Sequence, residues 1–116
     1  MFTIARNGII ELSRGDNVEM PLFINRGSAL EPIRYEIGDN TQIYFGLMYP
    51  GQYFENAVVR KKYTKNDTNS HGDIIIRFTP EDTLYLDPGK YFYEIKAILE
   101  DGSVNTIIQK TEFWLQ

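Results

Sequence analysis

The residue types that carry most protein chemistry are scarce in this sequence. It contains no cysteine and one histidine, His71, which lies in a polar stretch. A two-histidine zinc site and a cysteine nucleophile need residues that this composition lacks, and no motif places a nucleophile beside His71, so we also predict no histidine-based catalytic triad. The sequence also has no calcium-binding loop of alternating acids, no glycine-rich phosphate loop and no G-x-S-x-G elbow. We therefore predict a protein that is not an enzyme and that uses no metal or cofactor, with His71 at its surface.

Glu81 and Asp82 are adjacent carboxylates, and paired carboxylates are a common acid–base device. They follow Thr79 and Pro80, and threonine, proline and acids in this order are typical of the start of a helix. Acidic residues in a first turn interact with the helix dipole. We interpret the pair as helix-capping residues of one short helical turn near residues 80–86.

One cluster of positive charge contains Arg60, Lys61, Lys62 and Lys65, with Tyr63 among them. Such a cluster suits a nucleic-acid or anionic-glycan site. On a strand, however, Arg60 and Lys62 face away from Lys61, and lysines on an edge strand discourage pairing with other sheets. The chain has 12 basic and 16 acidic residues, a net charge of −4, which is the wrong sign for binding a phosphate backbone. We predict a solvated edge strand and no nucleic-acid partner.

The tripeptide Arg14-Gly15-Asp16 matches a sequence that integrins recognise. A three-residue motif has a high false-positive rate. Glycine followed by aspartate between two alternating segments is also typical of a hairpin turn, and we favour the turn.

Apolar and polar residues alternate in several segments, as they do in strands with one face on a core. Turn residues separate these segments at intervals near ten residues, which is typical of a sandwich. The segments are residues 8–13, 17–25, 33–37, 41–49, 57–64, 73–79, 90–100, 103–109 and 111–115. Residues 90–100 would also fit a helix, and we predict a strand. The whole chain, residues 1–116, is predicted to be one immunoglobulin-like Greek-key β-sandwich of seven to eight strands.

The connections carry further predictions. The polar residues 65–72 are predicted to be an exposed hairpin loop. Asp101-Gly102 predicts a two-residue hairpin with a type I′ turn, in which both central residues have positive φ. Pro21 cannot donate to a ladder, so its strand should lie at an edge or contain a bulge.

Asp87, Gly89 and Tyr91 have the D-x-G-x-Y spacing that accompanies a tyrosine corner in Greek-key sandwiches. In such a corner the tyrosine hydroxyl bonds to the backbone of the preceding connection. The glycine permits a tight turn, and the ring is buried with its polar end satisfied. A plain proline–glycine turn followed by a core tyrosine is the alternative, and it leaves the sandwich prediction unchanged.

The chain also resembles the immunoglobulin-like N-terminal domain of phage baseplate upper proteins. The resemblance covers nearly the whole chain, and its late block is the more specific part. The segments that carry it are Arg14-Gly15-Asp16, Ile43-Tyr44-Phe45-Gly46-Leu47, Gly72-Asp73-Ile74-Ile75-Ile76, Thr79-Pro80-Glu81-Asp82-Thr83, residues 86–95, Asp101-Gly102 and Thr106-Ile107. The family members usually continue into further helical and receptor-anchoring regions beyond the domain that this sequence resembles.

The resemblance implies a structural or interaction module of a bacteriophage or prophage tail or baseplate. Its partners would be other virion proteins or copies of itself, its location the virion, and its place of assembly the bacterial cytoplasm. The resemblance carries over no catalytic residue. The sequence itself shows neither a signal-peptide pattern nor a run approaching the ~20 apolar residues that span a bilayer, so we predict no membrane insertion.

Exposed aromatic and basic side chains are the candidates for contacts, because tyrosine gives a large contact area with few torsions to fix. The predicted interaction surface comprises Tyr49, Tyr53, Phe54, Arg60 and Lys62. An alternative function is a carbohydrate-binding or adhesin-like module of a bacterial surface. In that case exposed aromatic residues, Trp114 included, would stack on sugar rings.

Overall fold

The structure is a computed structural model that describes residues 2–4, 8–22 and 37–116. Within those residues the strands are β1 (Phe2–Ile4), β2 (Ile10–Leu12), β3 (Val18–Leu22), β4 (Gln42–Met48), β5 (Val59–Tyr63), β6 (Ile74–Phe78), β7 (Gly89–Ile98) and β8 (Val104–Leu115). The helical elements are one α-helical turn, α1 (Pro80–Thr83), and the 3-10 turns Phe54–Asn56 and Lys65–Asp67. All but the last residue of the predicted strand 33–37 lies outside the described residues.

The strands form two sheets. The larger is a mixed sheet of six strands in the order β1-β2-β8-β7-β4-β5, and the smaller pairs β3 with β6. Strands β2 and β8 run parallel, whereas the other paired strands are antiparallel. The prediction of an all-β sandwich is confirmed, and α1 is its short helical turn.

Strand β7 shows how the sequence pattern builds the core. Tyr91, Tyr93, Ile95 and Ala97 are buried, and the residues between them are partly exposed. A strand turns alternate side chains to opposite faces, so this alternation places one face of β7 on the core and the other towards solvent. The segment that would also fit a helix is therefore a strand, as predicted.

Four aromatic rings join the two sheets at the centre of the core. Phe78 on β6 lies edge-on to Phe45 on β4, with ring centroids 5.3 Å apart, and 5.7 Å from the ring of Phe113 on β8. Tyr93 stacks on Phe45 at 5.7 Å. Such aromatic pairs add about 0.5–1.5 kcal/mol each to the free energy of burial. Phe78 thus links the small sheet to β4 and β8 of the large one, and Tyr93 on β7 joins the same cluster through Phe45.

The predicted strands 103–109 and 111–115 form one continuous strand, β8. Its partner β7 is long enough to pair with both, from Gly89 opposite Leu115 to Ile98 opposite Val104. Tyr93 lies opposite Thr111, whereas Lys96, three residues further on, lies opposite Thr106, five residues back, so two register shifts near Ile95 accommodate the extra residues of β8 as an irregularity within the strand. The prediction of two strands was wrong because a bulge interrupts the alternation without ending the ladder.

Two predicted hairpins are wrong for a shared reason. Residues 65–72 join β5 of the large sheet to β6 of the small sheet, and Arg14-Gly15-Asp16 lies between β2 of the large sheet and β3 of the small one. Both connections therefore cross between sheets. The turn residues mark the ends of strands correctly, but they do not determine which strand comes next in the sheet.

The turn between β7 and β8 is a hairpin, but it is not type I′. Asp101 does not have positive φ, whereas Gly102 has a φ of 85°. The amide of Gly102 donates to the carbonyl of Leu99 at 2.9 Å, and the amide of Leu99 donates to the backbone carbonyl of Ser103. Two bonds from Ser103, one from its amide and one from its hydroxyl, reach the carboxylate of Asp101. These bonds lower the pKa of Asp101 and favour a longer loop with a single left-handed glycine.

Candidate interaction surface

The tyrosine that starts β7 is anchored to the connection before it. The hydroxyl of Tyr91 donates to the backbone carbonyl of Asp87 at 2.7 Å, and its side chain is buried. Gly89, between them, has a φ of 148°, a conformation that disfavours residues with a Cβ. Burial is the main cause that raises the pKa of Tyr91, and neighbouring Tyr49 adds to it. Asp87, Gly89 and Tyr91 therefore form a structural corner that fixes the entry of β7.

The five residues of the predicted interaction surface do not lie together. Tyr49 follows β4 and packs against the corner tyrosine, with ring centroids 5.2 Å apart, although its side chain is 41% exposed. Tyr53 is 74% exposed in the loop after β4. Phe54, Arg60 and Lys62 line one groove. The structure thus separates a groove from two exposed tyrosines at other positions.

The groove lies on the outer face of the six-stranded sheet, the face turned away from the core. Its volume is about 540 Å³, which is within the usual range of ligand sites. The residues that line it are Tyr44, Phe45, Phe54, Glu55, Arg60, Lys61, Lys62, Lys96, Ile98 and Val104. Strand register explains their convergence, because Tyr44 pairs with Lys62 on one side and with Lys96 on the other.

The loop between β4 and β5 forms one wall of the groove. A Cβ on residue 46 would lie 2.7 Å from Cε2 of Phe54, so this ring lies directly over the backbone of Gly46. The ammonium of Lys96 lies 5.0 Å from the centroid of the same ring. The loop is held by Lys110, whose ammonium donates to the carbonyl of Gln52 at 2.7 Å. The absence of a side chain at Gly46 therefore allows the loop to fold onto the sheet.

The charges around the groove are not balanced. Within the described part of the chain, neither Arg60 nor Lys62 has an ion pair or a hydrogen bond from its side chain, and both are exposed. The other described cations each have a partner. The pairs are Arg14 with the Leu86 carbonyl, Lys61 with Asp82, Lys65 with Asp39, Arg77 with Glu19, Lys90 with Glu112, Lys96 with Glu94 and Lys110 with the Gln52 carbonyl. Arg60 and Lys62 therefore leave local positive charge on an acidic protein.

Strand β5 is at the edge of the large sheet, as predicted for the basic cluster. Lys61 points to the opposite side from its neighbours, towards the small sheet. Its ammonium lies 2.8 Å from a carboxylate oxygen of Asp82 and 5.8 Å from the centroid of Phe78. Tyr63 also faces inward, and its hydroxyl accepts a bond from the backbone amide of Arg77 at 3.1 Å. The inward side chains of β5 thus close the corner between the sheets.

The remaining candidates for chemistry have structural contacts. Asp82 completes a capping box with Thr79, whose amide donates to the Asp82 carboxylate at 2.7 Å. The amide of Gly15 donates to the hydroxyl of buried Thr83 at 2.9 Å, which anchors the Arg14-Gly15-Asp16 turn to α1. His71 is exposed in a turn.

Residues 8–22 and 37–116 contain no cluster of three or more histidine, cysteine or acidic side chains with the geometry of a metal site. No helix in the part of the chain that the structure describes is long and apolar enough to cross a membrane.

Besides Phe45 and Glu55, the groove residues that sequence reasoning missed are Tyr44, Lys96, Ile98 and Val104. All four lie on outward positions of their strands. The alternation of the sequence indicates that these positions face away from the core. It does not indicate that β4 pairs with both β5 and β7, and this pairing brings the four residues into one groove.

Comparison of the chain with protein-family models, curated proteins and solved structures finds no match. The groove, the exposed aromatic residues and the sequence resemblance are therefore the observations that bear on its function.

Proposed function

We propose that this chain is a structural or interaction module of a bacteriophage or prophage tail or baseplate, which acts through protein–protein contacts in virion assembly or host recognition. The observation that carries the proposal of a contact surface is the outer-face groove with its two unpartnered cations, Arg60 and Lys62. The sequence resemblance to baseplate upper proteins supplies the setting.

A contact surface of this kind needs large side chains in fixed positions, since ordering mobile ones opposes binding. The ring of Phe54 packs against Gly46 and lies near the ammonium of Lys96. That ammonium lies 3.9 Å from a carboxylate oxygen of Glu94. These neighbours pre-order one wall of the groove before a partner arrives. Arg60 and Lys62 on the opposite side remain available for charged or polar groups of another virion protein.

The experiment is to purify tail-bearing particles from an induced culture of the bacterium that carries the gene and to quantify the chain in them by mass spectrometry. We expect the chain to co-sediment with tail proteins in a fixed ratio. A gene deletion should yield particles with defective tails or reduced adsorption to the host. Recovery of the chain only outside particles, or a deletion with no effect on their structure and adsorption, would contradict the proposal.

The second candidate is a carbohydrate-binding or adhesin-like module of a bacterial surface. Exposed rings favour it, since Tyr53 is 74% exposed and Trp114 is 39% exposed. Saccharide binding on a glycan array, accompanied by a change in Trp114 fluorescence, would support this alternative. Phe54 contributes less to it, because its ring already contacts Gly46 and lies near the ammonium of Lys96.

A further inference from the structure

Strand β5 offers a sheet edge as well as one side of the groove. It pairs with β4 through five consecutive residues without a register shift, from Leu47 opposite Val59 to Ile43 opposite Tyr63. Among the described residues it has no strand neighbour on its other side. A strand with one free side presents a row of backbone donors and acceptors, and an extended segment of another protein can pair with them.

The outward charges of β5 select among possible partners. Arg60 and Lys62 are two residues apart, so their side chains share the outer face of the sheet. A second copy of this strand paired with β5 would bring like charges together across the ladder, which is unfavourable. An acidic strand would bring opposite charges to the same positions. The two cations therefore disfavour self-association through this edge and favour an acidic partner.

The groove lies beside this edge and is lined by side chains of both signs and by rings. Tyr44 lies directly across the ladder from Lys62, and Phe54 forms the far wall. The outward side chains of a segment added to β5 would lie next to Arg60 and Lys62 and could reach into the groove. This combination of a backbone edge, two cations and a side-chain groove suits a peptide better than a sugar, because a sugar has no peptide backbone that could form a ladder with the edge strand.

We propose that β5 is a docking edge for an extended acidic segment of a partner protein, which adds to the six-stranded sheet as a further strand with its carboxylates on Arg60 and Lys62. The inference rests on the proposed function, namely that the chain acts through protein–protein contacts. It specifies the chemistry of the partner, the strand that receives it and the two residues that select it.

The test is an NMR titration of the purified chain with a blocked ten-residue peptide of alternating glutamate and threonine, which places every glutamate on one face of a strand. We expect the backbone amide signals of β5 to shift and their exchange with solvent to slow. A peptide with glutamine in place of glutamate should bind about tenfold more weakly, since exposed charge pairs contribute modestly each. The acidic peptide with every amide N-methylated keeps its charges but cannot form a ladder, and it should also bind at least tenfold more weakly.

Matched variants locate the charges. The double variant Arg60→Gln, Lys62→Gln should weaken binding of the acidic peptide about tenfold. The control Lys65→Gln, Arg77→Gln makes the same change of net charge at exposed residues outside the groove, and it should change binding by less than about twofold.

Four results would overturn the proposal: equal binding of the N-methylated peptide, shifts confined to strands other than β5, equal weakening by the control variant, or absence of binding at millimolar peptide. If the Arg60→Gln, Lys62→Gln chain binds the peptide poorly but still enters particles, the docking edge is unnecessary for assembly and this inference fails while the proposed function stands. If peptide binding is as expected and the chain is absent from particles, the phage setting fails instead.

Discussion

Replacing Tyr93 by phenylalanine removes one hydroxyl group and leaves the aromatic ring in place. The side chain is 1% exposed, and its hydroxyl donates to the carbonyl of Gly8 at 2.6 Å. The two residues are 85 positions apart in the sequence, so this bond ties β7 to the segment that leads into β2. The ring itself would remain stacked on Phe45. The substitution therefore isolates one long-range hydrogen bond.

The loss of stability in Tyr93→Phe arises because the carbonyl of Gly8 loses its hydrogen-bond donor. A neutral hydrogen bond contributes about 1 kcal/mol net, and leaving a partly buried acceptor unsatisfied costs about 1–3 kcal/mol. We expect Tyr93→Phe to lower the free energy of unfolding by about 2 kcal/mol, which corresponds to a fall in Tm of roughly 8 °C for a domain of this size. Tyr91→Phe is the matched control, since its bond to Asp87 spans 4 residues at an exposed turn. It should cost about 1 kcal/mol.

The pH dependence provides an independent check. Burial raises the pKa of Tyr93 from 10.0 to about 12. The unfolded chain therefore releases this proton near pH 10, whereas the folded chain keeps it until about pH 12. Stability from this group is complete below pH 10 and is lost as the pH rises towards 12, because the unfolded state binds fewer protons in that window. Over the full window the loss is about 3 kcal/mol.

Urea unfolding followed by Trp114 fluorescence, at pH 7 and again at pH 11, measures both effects. The gap in unfolding free energy between the wild type and Tyr93→Phe should narrow by about 1 kcal/mol at the higher pH, because only the wild type has this group to ionise. Ionisation of Tyr63 and Tyr91, whose pKa values are raised mainly by burial, affects both proteins alike and cancels. A variant as stable as the wild type, or a gap independent of pH, would refute the reasoning.

Three further substitutions test other parts of the structure. Gly46→Ala should displace the ring of Phe54, because the new Cβ would lie 2.7 Å from it. We expect the free energy of unfolding in urea to fall by about 1 kcal/mol and the amide signals of the loop to shift. Unchanged loop signals would contradict the packing of Phe54 on Gly46. Asp82→Ala removes both the cap of α1 and the ion pair with Lys61, and should lower the free energy of unfolding, measured by thermal unfolding, by about 2 kcal/mol. Lys61→Ala removes only the ion pair and should cost less. Equal losses in the two variants would mean that the cap contributes nothing. Gly102→Ala places a side chain at a φ of 85° and should cost about 1 kcal/mol by the same measurement, whereas a neutral result would mean that the turn relaxes.

The fold was predictable from alternation because its strands have one buried and one solvated face. β7 is the clearest example, with every second side chain buried over Tyr91–Ala97. The alternation could not predict which strands are neighbours in the sheet. Strand β2 runs parallel to β8, next to the end of the chain, and neither segment contains a residue that specifies this pairing. The pairing is favoured by burial of Ile10 and Leu12 in the common core, a tertiary effect that local sequence does not record.

The groove illustrates the same limit at the level of the site. Tyr49, Tyr53, Phe54, Arg60 and Lys62 were grouped by residue type, as exposed aromatic and basic side chains, but only the last three line the groove. Register places Lys96 beside Tyr44, although the two are far apart in the chain. A site on a sheet face is assembled across strands, at spacings of about 5 Å, and not along them. Its composition therefore depends on which strands are neighbours, and neither residue type nor spacing along the chain determines that order.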